Sequence, residues 1–358
     1  MASRIVPIPS LTAIRGLFAI WVVLFHYKRE FDSIPARLIL DQGYLAVDMF
    51  FVLSGFILSH VYADALLEKR TTASDFFIRR VARIYPLHLI SLLAVTALYL
   101  VGHHYGFIDD AGEDLKEFWS HLALAHAWGA SEDVALNVPS WSISAEFIAY
   151  TLFIIPVWLI SKSGPRRALL SSIFLFMATW LFVKVCGAEL LGSSTMFSLP
   201  LQYSFLRIVP EFFLGMCFYR YAAEKMQPVH PIYLALCVLV MTIAVVLQVH
   251  VVFVFLGGAL YALLFLNNPN VPRWFHFLGV VSFSLYMIHW PFQLVAFELG
   301  ELMLGWTYHQ APALWLPIFM VATIAVATAT FYLVEQPANR LCLRMFYAMS
   351  RIRTWRFW

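Results

Sequence analysis

Residues 15–26 read RGLFAIWVVLFH, ten apolar or glycine residues between an arginine and a histidine. On a helix, eleven steps of 100° return Arg15 and His26 to one face, about 16 Å apart along the axis. So oily a segment carries a fixed charge and a titratable ring only at a cost, and the cost depends on the surrounding solvent.

Composition identifies that solvent. Of the 358 residues, 61% are hydrophobic and 13% charged, about half the charge of a soluble domain. Mean hydropathy is +0.76. The chain reads as an all-α polytopic membrane protein, with membrane lipids as partners and no nucleic acid. Cys186, Cys217, Cys237 and Cys342 show no C-x-x-C or zinc spacing, so neither a disulfide framework nor a metal site is expected. The first apolar run holds Arg15 and lacks a small-x-small cleavage site, so it is expected to remain as a span.

A crossing needs about 20 largely apolar residues. That ruler gives ten segments: 11–27, 44–62, 84–101, 142–160, 168–185, 199–219, 231–249, 251–266, 276–297 and 313–334. With the N-terminus cytoplasmic, 17 of the 24 basic residues fall on the cytoplasmic side and five, Lys28, Arg29, Arg37, Lys116 and Lys184, on the other. The positive-inside rule therefore supports ten spans with both termini cytoplasmic. The expected organisation is a cytoplasmic N-terminus at 1–10, one transmembrane domain at 11–337 and a basic cytoplasmic tail at 338–358 that suits an anionic leaflet. The outer connection at 102–141 is acidic. Within it FWSHLALAHAWG is too short to cross and reads as an interfacial or re-entrant helix with Trp119 and Trp128 at headgroup depth.

An ionisable residue at mid-membrane costs about 2.5–3.5 kcal/mol on insertion scales, so each one inside a span is a candidate functional residue. Arg15 and His26 come first; either alone reads as a snorkelling arginine or an interfacial histidine, and the shared face argues against that plain reading. Asp48 lies near the depth of His26, where a carboxylate would fix the imidazole tautomer or simply cap a helix. Arg80 and Arg83 share a face at the cytoplasmic boundary; their guanidinium forks suit phosphate, and orientation signalling is the plain alternative. Glu146 sits about one turn inside the fourth span, after Trp141 and Ser142. Arg207 and Glu211 are i,i+4 partners and read as a structural ion pair. Tyr286 and His289 share a face of the ninth span, in structural or substrate-contacting roles. Glu335 closes the last span, where an arginine could pair with it. Ser54 and Gly55 read as a site of close helix approach.

DMFFVLSGFILS, RRVARIYP, PSWSISAEFIAY, SFSLYMIHWPF and FYLVEQP follow the arginine-ten-histidine segment in an order that resembles the acyltransferase-3 family of bacterial membrane O-acyltransferases, over residues 11–337. The resemblance implies a multi-pass protein of the bacterial inner membrane that uses a cytoplasmic acyl-CoA donor, usually acetyl-CoA, with no permanently bound cofactor. It implies as acceptor a hydroxyl of an envelope or secreted glycan, or of a lipid-linked saccharide. It marks His26 as essential together with Arg15, and Arg80 and Arg83 as the CoA end. Ending about twenty residues after its last motif, the chain is expected to be the stand-alone type, without an extracytoplasmic esterase-like domain.

The expected mechanism threads the pantetheine arm past Arg15 to a thioester beside His26, with His26 as general base helped by Asp48 or Glu146. Trp141, Ser142 and Tyr150 are candidate substrate or oxyanion contacts. An acyl-imidazole route stays open, as do acceptor identity, acyl length and oligomeric state. Two other classes remain: a glycan or anion transporter or flippase with buried charges along its path, and a non-catalytic partner in envelope synthesis. The transporter reading expects broken helices and inverted halves, and the sequence displays no matching pair of interrupted segments.

Overall fold

The computed structural model describes residues 8–28, 31, 37–105, 115–129, 135–200, 203–225, 227–305 and 313–354. Arg4, most of the acidic residues of the outer connection and the end of the tail lie outside them. Apart from short turns of helix, the described chain forms α1 (Pro9–Tyr27), α2 (Leu45–Leu58), α3 (Ala73–His104), α4 (Phe118–Leu122), α5 (Trp141–Leu152), α6 (Ile154–Lys162) and α7 (Pro165–Leu190). It continues with α8 (Phe205–Lys225), α9 (Ile232–Val246), α10 (His250–Asn267), α11 (Arg273–Val280), α12 (Ser282–Leu304), α13 (Leu316–Thr330) and α14 (Gln336–Thr354).

Six helical stretches are long and apolar enough to cross a membrane, and up to eight if each of two bent pairs counts as one span. The protein is therefore all-helical and multi-pass. α8 fails the apolarity test because it carries Arg207, Glu211, Arg220, Glu224 and Lys225, yet it is deeply buried, with Arg207, Glu211 and Phe212 among its interior residues. Its apolar demand is met by neighbouring helices instead of lipid. α8 crosses α2 at Gly55 and Gly215, where a methyl group on either residue would strike the backbone carbonyl of Phe212 or Val52. The close approach read at Gly55 is thus present, and only glycine permits it.

Several boundaries move for identifiable reasons. α3 begins at Ala73 rather than 84, because Thr72 caps it by accepting from the Asp75 backbone N–H at 3.0 Å. Arg80 and Arg83 therefore lie on the same continuous helix as the span. The seventh and eighth segments do separate, at a turn where Gln248 has φ 57°. The basic tail is no loose appendage: a π turn, Phe331–Glu335, carries α13 directly into α14.

The fourth and ninth segments are not continuous spans. Val138–Leu152 and Ile154–Lys162 meet at 50°, and Arg273–Val280 and Ser282–Gly300 at 62°. This corrects the sequence reading that no interrupted pair exists. Neither break is signalled by hydropathy, since each falls at an apolar residue, Phe153 or Val281. Broken helices at membrane depth are tolerated where they are buried in protein or line a cavity, and α5 and α12 together do line one.

Candidate functional site

Helices α1, α2, α3, α5 and α12 converge on a cavity of about 160 Å³. Its polar wall carries Arg15 from α1, Ser54 from α2, Arg80 and Arg83 from α3, Ser142, Glu146 and Tyr150 from α5, and Ser282 and Tyr286 from α12. Thus seven of the candidate residues meet in one space. Arg15 is aimed by its Nη2, which donates to the Gly279 carbonyl at 2.9 Å. Gly279 lies so close to α1 that any side chain there would strike Thr12.

The three arginines differ in how far they are already satisfied. Arg83 forms an ion pair with Glu335, whose other oxygen accepts from Ser284 Oγ at 2.5 Å. The arginine partner expected for Glu335 is therefore Arg83. Arg80 donates to the Tyr62 hydroxyl at 3.3 Å, with its guanidinium 5.4 Å from the same ring. Ser54 donates to Glu146. Three arginines face two carboxylates, so the cluster keeps an excess of positive charge.

The sequence reading set Glu146 about one turn inside the fourth span as a helper to His26, whereas the structure sets it among the arginines. The reason is the course of the chain before α5. All of residues 135–145 except Val138 are buried, so α5 starts inside the protein, packed among other helices. Trp141 is likewise interior, with its ring 5.3 Å from the Arg207 guanidinium.

Asp48 also has a partner other than the imidazole. Arg207 Nε lies 3.1 Å from Asp48 Oδ1 across the α2–α8 crossing, and Arg207 donates to the Phe197 carbonyl at 3.1 Å. The arginine's ion pair is thus interhelical rather than the i,i+4 pair with Glu211 that spacing indicated; Glu211 faces both Asp48 and Arg207.

The group brought to His26 is His289. Its Nε2 lies 3.1 Å from His26 Nδ1, and the same Nδ1 lies 3.1 Å from the Val22 carbonyl of α1. A carbonyl only accepts, which selects the His26 tautomer with the proton on Nδ1 and the lone pair on Nε2. The Trp290 ring lies edge-on at 5.5 Å. His289 is fully buried while His26 is half-buried.

The cavity stops short of this pair, and His26 does not line it. Tyr286 stands between, with its ring 5.9 Å from that of His289 and 6.0 Å from Phe50. Its hydroxyl donates to the Pro139 carbonyl at 2.9 Å and lies 2.8 Å from Ser142 Oγ. One turn, Val138–Ser140, thereby holds the ring that closes the cavity.

Beyond that turn lies a cluster the sequence reading passed over. His121 and His126 stack at 3.8 Å with only 4° between their planes, and Ser140 Oγ lies 3.4 Å from one and 3.2 Å from the other. Both occur in the quoted FWSHLALAHAWG, whose two histidines five residues apart were the available signal. Only Phe118–Leu122 of that segment is helical; Trp119 is exposed, as expected of an interfacial anchor. Burial, with His88 nearby, holds the His121 imidazole down to about 3, and burial with His121 and His88 keeps His126 well below its ordinary value. Neutral rings can stack so closely. Among the described residues, no group of three or more His, Cys, Asp or Glu side chains is arranged to hold a metal.

Comparison with known proteins bears on what such a site does. The family model for an acyltransferase domain matches residues 8–332. The acyltransferase MdmB of Streptomyces mycarofaciens is 31% identical over 178 residues, 47% of this chain and 43% of the relative. A Komagataeibacter xylinus protein provisionally assigned as the membrane-bound transacylase BcsY is 27% identical over 313 residues, 80% of this chain and 73% of the relative. A Bacillus subtilis protein provisionally assigned as the peptidoglycan O-acetyltransferase YrhL is 21% identical over 387 residues, 98% of this chain and 58% of the relative. No solved structure matches.

Proposed function

This chain belongs to that acyltransferase family, and as a membrane acyltransferase of it we propose that it moves an acyl group, acetyl in the simplest case, from acyl-CoA to a glycan hydroxyl. In this reading all ten apolar segments cross the inner membrane of a bacterium with both termini cytoplasmic, as the distribution of basic residues favours. The glycan acceptor follows the name of the peptidoglycan O-acetyltransferase relative. The observation that carries the reading is a net-positive cavity on the arginine side of Tyr286, with a tautomer-selected histidine pair on the other.

CoA phosphates rest on Arg80, with Arg83 as a weaker contact because Glu335 shares its charge. The pantetheine arm passes Arg15, and Tyr286 swings aside to admit the thioester. His26 Nε2 takes the proton of the acceptor hydroxyl as its oxygen attacks the thioester carbonyl. The C–S bond then breaks and the departing CoA sulfur takes that proton from the imidazolium. The Val22 carbonyl and His289 Nε2, both 3.1 Å from Nδ1, share its hydrogen and steady the cationic ring. Asp48 and Glu146 act by holding helices and cavity rather than by touching His26.

The test is incubation of purified protein with labelled acetyl-CoA and envelope fractions. The unmodified protein should label a glycan, and His26→Ala should lose transfer by about 10²–10⁴-fold while staying folded and membrane-inserted. Retained labelling by that variant refutes the base assignment. The two bent spans favour one second reading, a transporter. That reading predicts glycan crossing the membrane without covalent label.

A further inference from the structure

We propose that a cleft remote from this cavity binds one anionic diacyl phospholipid. α9 leans on α10 and leaves a gap against α7 and α8. The gap holds about 850 Å³, with walls such as Leu169, Phe218, Leu236, Val240 and Leu263. Along α10 it runs from Leu256 to Leu266, about 15 Å of helix. That equals half of a hydrocarbon core of about 30 Å, the depth of one leaflet's acyl chains.

One end of the cleft is charged. Lys225 and Tyr221 line it there and also line an adjoining pocket of about 290 Å³, whose other walls include Arg166, Arg167 and Glu224. Three exposed cations against one carboxylate leave a positive rim. Guanidinium forks and an ammonium at a membrane boundary suit a lipid phosphate, and basic pockets between helices select anionic headgroups. An apolar cleft the depth of a leaflet, ending on a net-positive pocket, specifies an amphiphile: chains between α9 and α10, phosphate between Arg166, Arg167 and Lys225. Its role follows from α9. At 15 residues, α9 spans about 22 Å and is seated mainly on one neighbour, so a bound lipid would complete its packing. The site shares no residue with the arginine-lined cavity, so it stands independently of the proposed reaction.

The full chain, stripped in detergent, is titrated with phosphatidylglycerol or with phosphatidylethanolamine of the same chains, and bound lipid is read by native mass spectrometry. One phosphatidylglycerol per chain should be retained, at least roughly tenfold more tightly than phosphatidylethanolamine. Arg166→Gln/Arg167→Gln/Lys225→Gln should lose the preference, and Leu236→Trp, which fills the cleft, should weaken both lipids; each variant must elute as the unmodified protein does. Equal retention of the two lipids, or a preference that survives the neutralised rim, overturns the proposal. Displacement by glycerophosphate as readily as by phosphatidylglycerol overturns it too, since the cleft would then add nothing.

Discussion

Two clusters of charge sit within this bundle, one buried and one half-buried, and they are built differently. In one, Arg207 meets Asp48 and faces Glu211 where α2 and α8 cross at Gly55 and Gly215. In the other, Arg15, Arg80 and Arg83 face Glu146 and Glu335 around a cavity. The first has one cation for two carboxyls and is closed by backbone contact. The second has three cations for two carboxylates and encloses space. Cost alone does not separate them, since both violate the apolar rule for spans. Excess charge next to a void does: one cluster holds helices together, while the other has charge left over for an anionic ligand.

The contrast can be broken by exchanging losses. Arg207→Met strips the cation from two buried carboxyls and should destabilise the fold by about 3–5 kcal/mol, read as a fall in thermal unfolding temperature. A variant as stable as the parent would make the closed cluster no more structural than the open one. At the histidine pair the effect should be catalytic. His289→Ala should lower kcat by about 10–100-fold with KM for acyl-CoA unchanged, and should shift the pH profile of kcat because the His26 imidazolium loses one of its two acceptors. Equal losses in kcat and stability, with an unmoved profile, would reduce His289 to packing.

A further effect concerns the stacked imidazoles. His121 stays neutral down to about 3 in the fold, whereas an unfolded histidine protonates near 6.5. Between those values the unfolded chain binds more protons, so stability falls as pH drops from about 6.5 toward 3. His121→Gln should flatten that slope; an unchanged slope would contradict the buried neutral pair.

The legible part of this architecture was local. Apolar runs located the helices, and the eleven-residue step put Arg15 and His26 on one face of α1. RRVARIYP placed two arginines at the boundary that became the cavity floor. What escaped was set by contacts between distant parts of the chain. His289 reaches His26 across 263 positions, and Asp48 chose Arg207 because two glycines let α2 and α8 touch. Glu146 faces the arginines because the start of α5 is buried behind the turn at Val138–Ser140, a packing that local sequence does not show. The bends at 152–154 and 281 fall at apolar residues, so periodicity carried no trace of them.

The affinity of the purified protein for CoA, compared with that of Arg80→Ala and measured by calorimetry, tests the open cluster most directly. Loss of a phosphate contact should weaken binding by roughly tenfold or more, with thermal stability unchanged. Equal affinity in the two proteins would contradict the assignment of this cavity to the donor.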